Sequence, residues 1–123
     1  MVAEVKPLMQ VAVVGSREFA HLNQVQTILD RLHGSIGPFV LISGGAAGVD
    51  SAAEQWANRR QLEKKIFPAD WEKDGKKAGI LRNTVIVEHA DLIIAFWDGV
   101  SVGTLDTITK SKKKKKKIAV YLG

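Results

Sequence analysis

The sequence predicts an α/β fold, a three-layer sandwich with a parallel five-stranded sheet in the order 3-2-1-4-5. Three observations predict it. Short β-branched runs alternate with segments of helical periodicity along the chain. The loops after the first, second and fourth runs are rich in glycine and serine. The 123 residues suit one domain, 1–123, with a core of its own. Alternating strands and helices need a sheet covered on both faces. Right-handed crossovers then leave few topologies. The arrangement is Rossmann-like, and its ligands belong at the crevice where the strand order reverses, between strands 1 and 4.

The elements follow in order. Met9 to Val14 reads as the first strand, and Val25, Ile28, Leu29 and Leu32 mark the first helix. His33-Gly34 is its expected stop, with Gly37-Pro38 as the loop. Phe39 to Ile42 is the second strand, and Val49, Ala52, Ala53, Trp56 and Ala57 form one face of the second helix. Lys65 to Phe67 is a short third strand. Lys76 to Glu88 reads as the third helix, although Thr84 to Val87 would also suit a strand. Leu92 to Trp97 is the fourth strand, Thr104 to Ser111 the fourth helix, and Ile118 to Leu122 the fifth strand.

Composition narrows the function classes. There is no cysteine, which excludes disulfides, thiolate metal sites and a cysteine nucleophile. His21, His33 and His89 lack metal-ligand spacing, so no metal and no cofactor is expected. Met1 to Met9 has no long apolar run and no stretch reaches membrane length, which makes a cytoplasmic protein without a membrane contact the expectation. The formal charge is +5, but Lys112 to Lys117 exceed it alone. The remainder is near neutral, unlike a general nucleic-acid-binding surface.

Three loops could carry chemistry. In Gly15-Ser16-Arg17, glycine would admit a ligand to the backbone, serine would donate a hydrogen bond, and arginine would pair with phosphate. Ser43-Gly44-Gly45-Ala46-Ala47-Gly48-Val49-Asp50 enters a helix directly, where unpaired N–H groups favour an anion. It lacks the Walker lysine and the dinucleotide fingerprint. Close packing through small residues is the plainer reading, and Asp50 suits a helix cap as well as a ribose contact. Ser101, Gly103 and Thr104 offer hydroxyls and N–H groups at another helix start, which also suits a simple cap. Trp71 could stack on a base or pack over the sheet end. Arg82 and Asn83 lie between these loops, and Gly79 one turn earlier could leave room for the arginine. Arg82 would equally suit a surface salt bridge.

Taken in order, these residues resemble the SLOG superfamily of Rossmann-like nucleotide-binding domains, in particular its YspA-like, cpYpsA-related branch. The resemblance rests on Gly15-Ser16-Arg17-Glu18-Phe19, Gly44-Gly45-Ala46 with Gly48-Val49-Asp50, and Pro68-Ala69-Asp70-Trp71. It continues through Gly75-Lys76, Ala78-Gly79, Arg82-Asn83, Ala90-Asp91-Leu92, Ala95-Phe96-Trp97, and Ser101 with Gly103-Thr104. It implies a nucleotide or nucleotide-derived ligand, and the related proteins suggest a homodimer. Arg82 and Gly103-Thr104 look like parts of the lonely guy phosphoribohydrolase site. That pattern has glycine where Ser101 stands and the catalytic glutamate where Thr107 stands. Asp106, one residue early, is expected to point about 100° away around the helix.

The resulting expectation is a binding domain. Gly15, Ser16, Arg17, Gly44, Gly45, Ser101, Gly103 and Thr104 would hold phosphate and ribose, with Asp50, Trp71, Arg82 and Asn83 completing the pocket. One alternative is a phosphoribohydrolase-like enzyme that cleaves a nucleotide N-glycosidic bond, with Asp98 or Asp106 as the acid. The other is single-stranded DNA binding like that of the DprA/Smf members, through Lys112 to Lys117. The bland reading of that lysine run is a solvated helix end that complements the helix dipole.

Overall fold

The computed structural model describes residues 7–123; Met1–Lys6, the greater part of the segment read for a leader, lie outside them. The elements are β1 (Gln10–Gly15), α1 (Leu22–Ile36), β2 (Val40–Ser43), α2 (Val49–Arg59), β3 (Lys64–Ile66), α3 (Trp71–Asp74), a 3₁₀ turn (Gly75–Lys77), α4 (Ala78–His89), β4 (Leu92–Trp97), α5 (Val102–Lys113) and β5 (Lys117–Leu122). All strand pairs are parallel, and the order is β3-β2-β1-β4-β5. Among the described residues no helix is long and apolar enough to cross a membrane.

The central strands are buried on both faces, so their side chains split by parity. Val11, Val13, Leu41, Ile94 and Phe96 face α1 and α2, where they meet Val25, Leu29, Ala53 and Trp56. Ala12, Val14, Ile42, Ile93 and Ala95 face α4 and α5, where they meet Ile86 and Ile108. Each fully buried Val, Leu or Ile among them stabilises by roughly 1.5–3 kcal/mol. Trp56 anchors the first layer. It stacks on Phe39 with centroids 5.6 Å apart, and its Nε1 donates to Asp30 Oδ1 at 2.9 Å. His33 packs edge-on against the same indole.

Several boundaries differ from the sequence reading, for local reasons. Helix α1 runs through His33-Gly34 and stops at Gly37, whose φ of 77° ends it and whose N–H returns to His33 O. An interior glycine costs a helix only about 1 kcal/mol, too little to break it. Strand β3 lies one residue earlier than Lys65 to Phe67. The third helix is split. Asp70 caps a single turn by accepting from Lys73 N–H, Gly75 at φ 59° interrupts it, and the long helix starts only at Ala78. Lys76 therefore sits in the 3₁₀ turn, and Thr84 to Val87 are helical.

Helices α2 and α5 end in the same way. Past α2, Gln61 N–H bonds Asn58 O and Leu62 N–H bonds Ala57 O. Past α5, Lys115 N–H bonds Lys112 O and Lys116 N–H bonds Ser111 O. This double bond pattern places one residue in the left-handed region, where glycine is favoured. Here the residues are Gln61 (φ 56°) and Lys115 (φ 55°). Gln61→Gly and Lys115→Gly are each expected to stabilise the protein by about 0.5–1 kcal/mol, read as a higher urea midpoint. A lower midpoint for both would show that these positions carry no backbone strain.

Candidate functional site

Strand β1 leads into a helix on one face and β4 into a helix on the other, so a cleft opens beyond their carboxyl ends. Its volume is about 560 Å³. Loops after β1, β2 and β4 line it, together with Trp71, Lys76 and the first half of α4.

The β1 loop is built by close packing. A Cβ on Gly15 would fall 2.6 Å from Val49 Cβ, so this glycine, which also lines the cleft, lets α2 pack close to the strand end. Buried Ser16 ties two loops together: its Oγ accepts Asp98 N–H at 3.2 Å. Arg17 is exposed on the cleft wall. Its carbonyl lies so near Gly48 that a Cβ there would fall 2.3 Å from the oxygen.

The β2 loop is closed on itself. Ser43 Oγ donates to Glu54 Oε2 at 2.6 Å and accepts Gly45 N–H at 3.3 Å. Gly45 has φ 73°, which favours glycine. Gly44 and Gly45 do not line the cleft. Gly44 instead makes room for Arg82, whose Nη1 donates to Gly44 O at 2.7 Å and would sit 2.3 Å from a Cβ on that glycine. Gly79, expected to give the arginine room, faces the Trp71 indole instead.

Asp50 is neither cap nor free carboxylate. Gly48 occupies the α2 cap position without a side-chain bond. Asp50 folds back from the first turn, 5 % exposed, and its Oδ2 accepts Ala46 N–H at 3.1 Å. Burial pushes its pKa up to about 6; Glu54 adds to this, and the Ala46 N–H and Arg82 oppose it. The amide after Gly45, expected to face a ligand, faces this carboxyl.

The β4 loop is different. Asp98 Oδ1 accepts N–H groups from Val100 at 2.9 Å and Ser101 at 2.7 Å. These bonds hold its carboxyl below the usual range. Ser101 stands at the α5 cap position, but its hydroxyl caps no amide and lies 3.4 Å from Thr104 Oγ1. The first N–H groups of an α-helix have no intrahelical partner. Among the described residues, those of Val102, Gly103 and Thr104 have no other acceptor either. Ser101, Gly103 and Thr104 all line the cleft.

Arg82 and Asn83 join the two sides. Arg82 Nε donates to Asn83 Oδ1 at 3.1 Å. Asn83 Nδ2 donates to Gly103 O at 3.2 Å and to Asp106 Oδ2 at 3.1 Å. The chain Gly44–Arg82–Asn83–Gly103 thus fixes the β2 loop against the start of α5. Asp106 does not point away, as helix geometry alone suggested. Asn83 and Lys110, at 2.9 Å, hold it on the cleft wall beside buried Thr107. Its i,i+4 spacing from Lys110 was a visible signal for that pairing. The bond from Ser43 to Glu54, which shapes the β2 loop from behind, was missed; nothing local in the sequence couples the two residues.

Trp71 opens α3 at the cleft mouth, 55 % exposed, with its ring edge against Gly79. Lysines 112–117 lie at the opposite end of α5, roughly 18 Å from its first residue at 1.5 Å per residue, and none lines the cleft. Lys116 is not merely solvated: its Nζ donates to Ala90 O at 2.9 Å and Glu88 O at 3.4 Å, closing the end of α4. Among the described residues no group of three His, Asp or Glu could hold a metal ion.

Strand order and cleft define a Rossmann-like α/β domain with an open site at its switch point. A family model for the YspA, cpYpsA-related SLOG family matches residues 9–73. The Gene 61 protein of Mycobacterium phage D29 is 40% identical over 111 residues, covering 85% of this chain and 89% of that protein. The chain belongs to the YspA, cpYpsA-related SLOG family. Two solved structures share the fold. DNA processing protein A (DprA) from Streptococcus pneumoniae superposes with a TM-score of 0.77 at 19% identity, over 92% of this chain. DprA from Helicobacter pylori, described for its single-stranded DNA binding mode, superposes with a TM-score of 0.66 at 22% identity, over 93% of this chain. The present chain spans 50% and 65% of those two proteins.

Proposed function

We propose that the cleft binds a nucleotide or nucleotide-derived ligand, with its phosphate at the start of α5 and its base against Trp71. The observation that carries this is the open amide set of Val102, Gly103 and Thr104, facing a cleft with an exposed tryptophan at its mouth. Partial positive charge at a helix start favours phosphate. The Ser101 and Thr104 hydroxyls add donors, and Arg17, Lys76 and Arg82 add positive charge. An indole face stacks on any base.

Calorimetric titration with adenosine 5′-monophosphate and other nucleoside monophosphates tests the reading. A dissociation constant of roughly 1–100 µM is expected for at least one of them. Thr104→Val and Trp71→Ala should each weaken it about tenfold, by a lost charge-assisted hydrogen bond and a lost stacking surface. Neutralising Lys113 to Lys116 should leave it unchanged, since these side chains lie far from the cleft. No heat from any monophosphate at millimolar concentration would sink the proposal.

The hydrolase alternative has less support. Asp98 is held ionised by two amides and so has no proton to give, and Asp106 is committed to Asn83 and Lys110. A second binding reading is favoured by one observation: among the described residues no ion pair involves Lys112–Lys117. That unneutralised run suits the phosphates of a single-stranded nucleic acid, as the H. pylori DprA description would suggest. Oligonucleotide binding that weakens steeply with salt and is abolished by neutralising the run would support it.

A further inference from the structure

The β2 loop carries an anion of its own. Asp50 Oδ2 accepts Ala46 N–H at 3.1 Å, and the Gly44 N–H also supports this carboxyl. Arg82, bonded to the Gly44 carbonyl, lies on the same side of Gly44 as this carboxyl, since a Cβ there would fall 2.3 Å from Arg82 Nη1 and 3.0 Å from Asp50 Oδ2, and Glu54 lies one turn further along α2. A phosphate at these amides would have to displace a nearly buried side chain and would meet the negative charge of Glu54 behind it. The start of α5 has no such resident group.

Strand order sets what passes over Asp50. The loops after β4, β1, β2 and β3 lie side by side in that order, with strands about 4.8 Å apart. The start of α5 follows β4, Asp50 follows β2 two spacings away, and Trp71 follows β3 one spacing beyond. A nucleotide with its phosphate at α5 and its base at Trp71 lays its ribose across the middle, towards Asp50. We propose that Asp50 determines specificity in this cleft: it accepts a ribose hydroxyl and excludes a second phosphate from the β2 loop. The proposal rests on the nucleotide reading. A carboxylate accepts from a hydroxyl but offers no proton to a phosphate, and the two like charges repel at short range. Burial raises Asp50 to about 6, so exclusion is strongest above that pH and weakens as the carboxyl gains a proton. The charged groups facing it are Arg82 from α4 and Glu54 from α2.

Two measurements test this. The first compares adenosine 5′-monophosphate with adenosine 2′,5′- and 3′,5′-bisphosphate by calorimetry at neutral pH. The wild type should prefer the monophosphate by about tenfold or more, and Asp50→Asn should shrink the preference to about threefold or less. Equal binding of a bisphosphate by the wild type, or an unchanged preference in Asp50→Asn, would overturn the assignment. The second uses inorganic phosphate and amide resonances. In the wild type phosphate should shift Val102 to Thr104 but not Ala46, whereas in Asp50→Asn and Asp50→Ser it should shift Ala46 as well. A shift of Ala46 in the wild type, or none in either folded variant, would overturn it. Because this readout needs only phosphate, it judges Asp50 separately from the nucleotide reading, which stands or falls on monophosphate binding.

Discussion

Gly48→Ala is expected to destabilise the protein by about 3 kcal/mol, through backbone strain added to a steric clash. Gly48 has φ 77°, and a Cβ there would fall 2.3 Å from Arg17 O and 2.9 Å from its carbon. Both atoms are backbone, so relief requires the β1 and β2 loops to part. The natural control is Gly99→Ala. Gly99 has φ 83° but open space around its Cβ position, so only the backbone strain of about 1 kcal/mol applies. Urea unfolding of both variants separates the two contributions. Equal losses would mean that the loops do not pack as described, and the floor of the cleft would have to be redrawn.

Asp50→Asn has the opposite sign. The folded state raises Asp50 from 3.8 to about 6, so the folded chain holds this proton more tightly than the unfolded chain does. Asp50 therefore contributes full stability below about pH 4 and loses it as pH rises towards about 6. Above that range its buried charge is a standing liability of roughly 2–3 kcal/mol. Asparagine keeps an acceptor for Ala46 N–H and removes the charge. The variant should match the wild type near pH 4 and exceed it by that amount at neutral pH, in urea unfolding followed across pH. A wild type more stable than the variant at neutral pH would mean that Arg82 outweighs burial. The gain in stability and the loss of phosphate discrimination come from one charge, which makes Asp50 a site where stability is held below its optimum.

Much of the fold was legible in the sequence, because buried parallel strands announce themselves. Leu92 to Trp97 matches β4 residue for residue, and the observed order β3-β2-β1-β4-β5 is the commonest of the few topologies that alternation and handedness leave. Helix ends were less legible where two signals compete. Gly34 and Gly37 lie three residues apart, and only the backbone conformation shows which one stops α1. The split of the third helix was half visible: Asp70 three residues before Lys73 is a cap signal, but Gly75 reads the same in a helix and in a break. At the cleft, the three loops read from the sequence come together, and close packing, the plainer reading of the β2 loop, accounts for Gly44 and Gly48. Gly15, Gly44 and Gly48 are small because Val49, Arg82 and the Arg17 carbonyl press on them, contacts made between loops distant in the chain. The fold-back of Asp50 onto Ala46 and the hold of Asn83 on Asp106 belong to the same class. Residue type limits what each can do, and only packing decides which partner it finds.

The central claim is that the open start of α5 holds the phosphate of a nucleotide that the cleft leaves intact. Equilibrium dialysis of wild type and Thr104→Val against a mixture of nucleoside monophosphates, with mass spectrometry of both compartments, tests it most directly. The wild type should retain about one intact nucleotide per chain, and Thr104→Val about tenfold less at subsaturating ligand. No retention by the wild type at millimolar nucleotide, equal retention by the variant, or steady release of free base would contradict it.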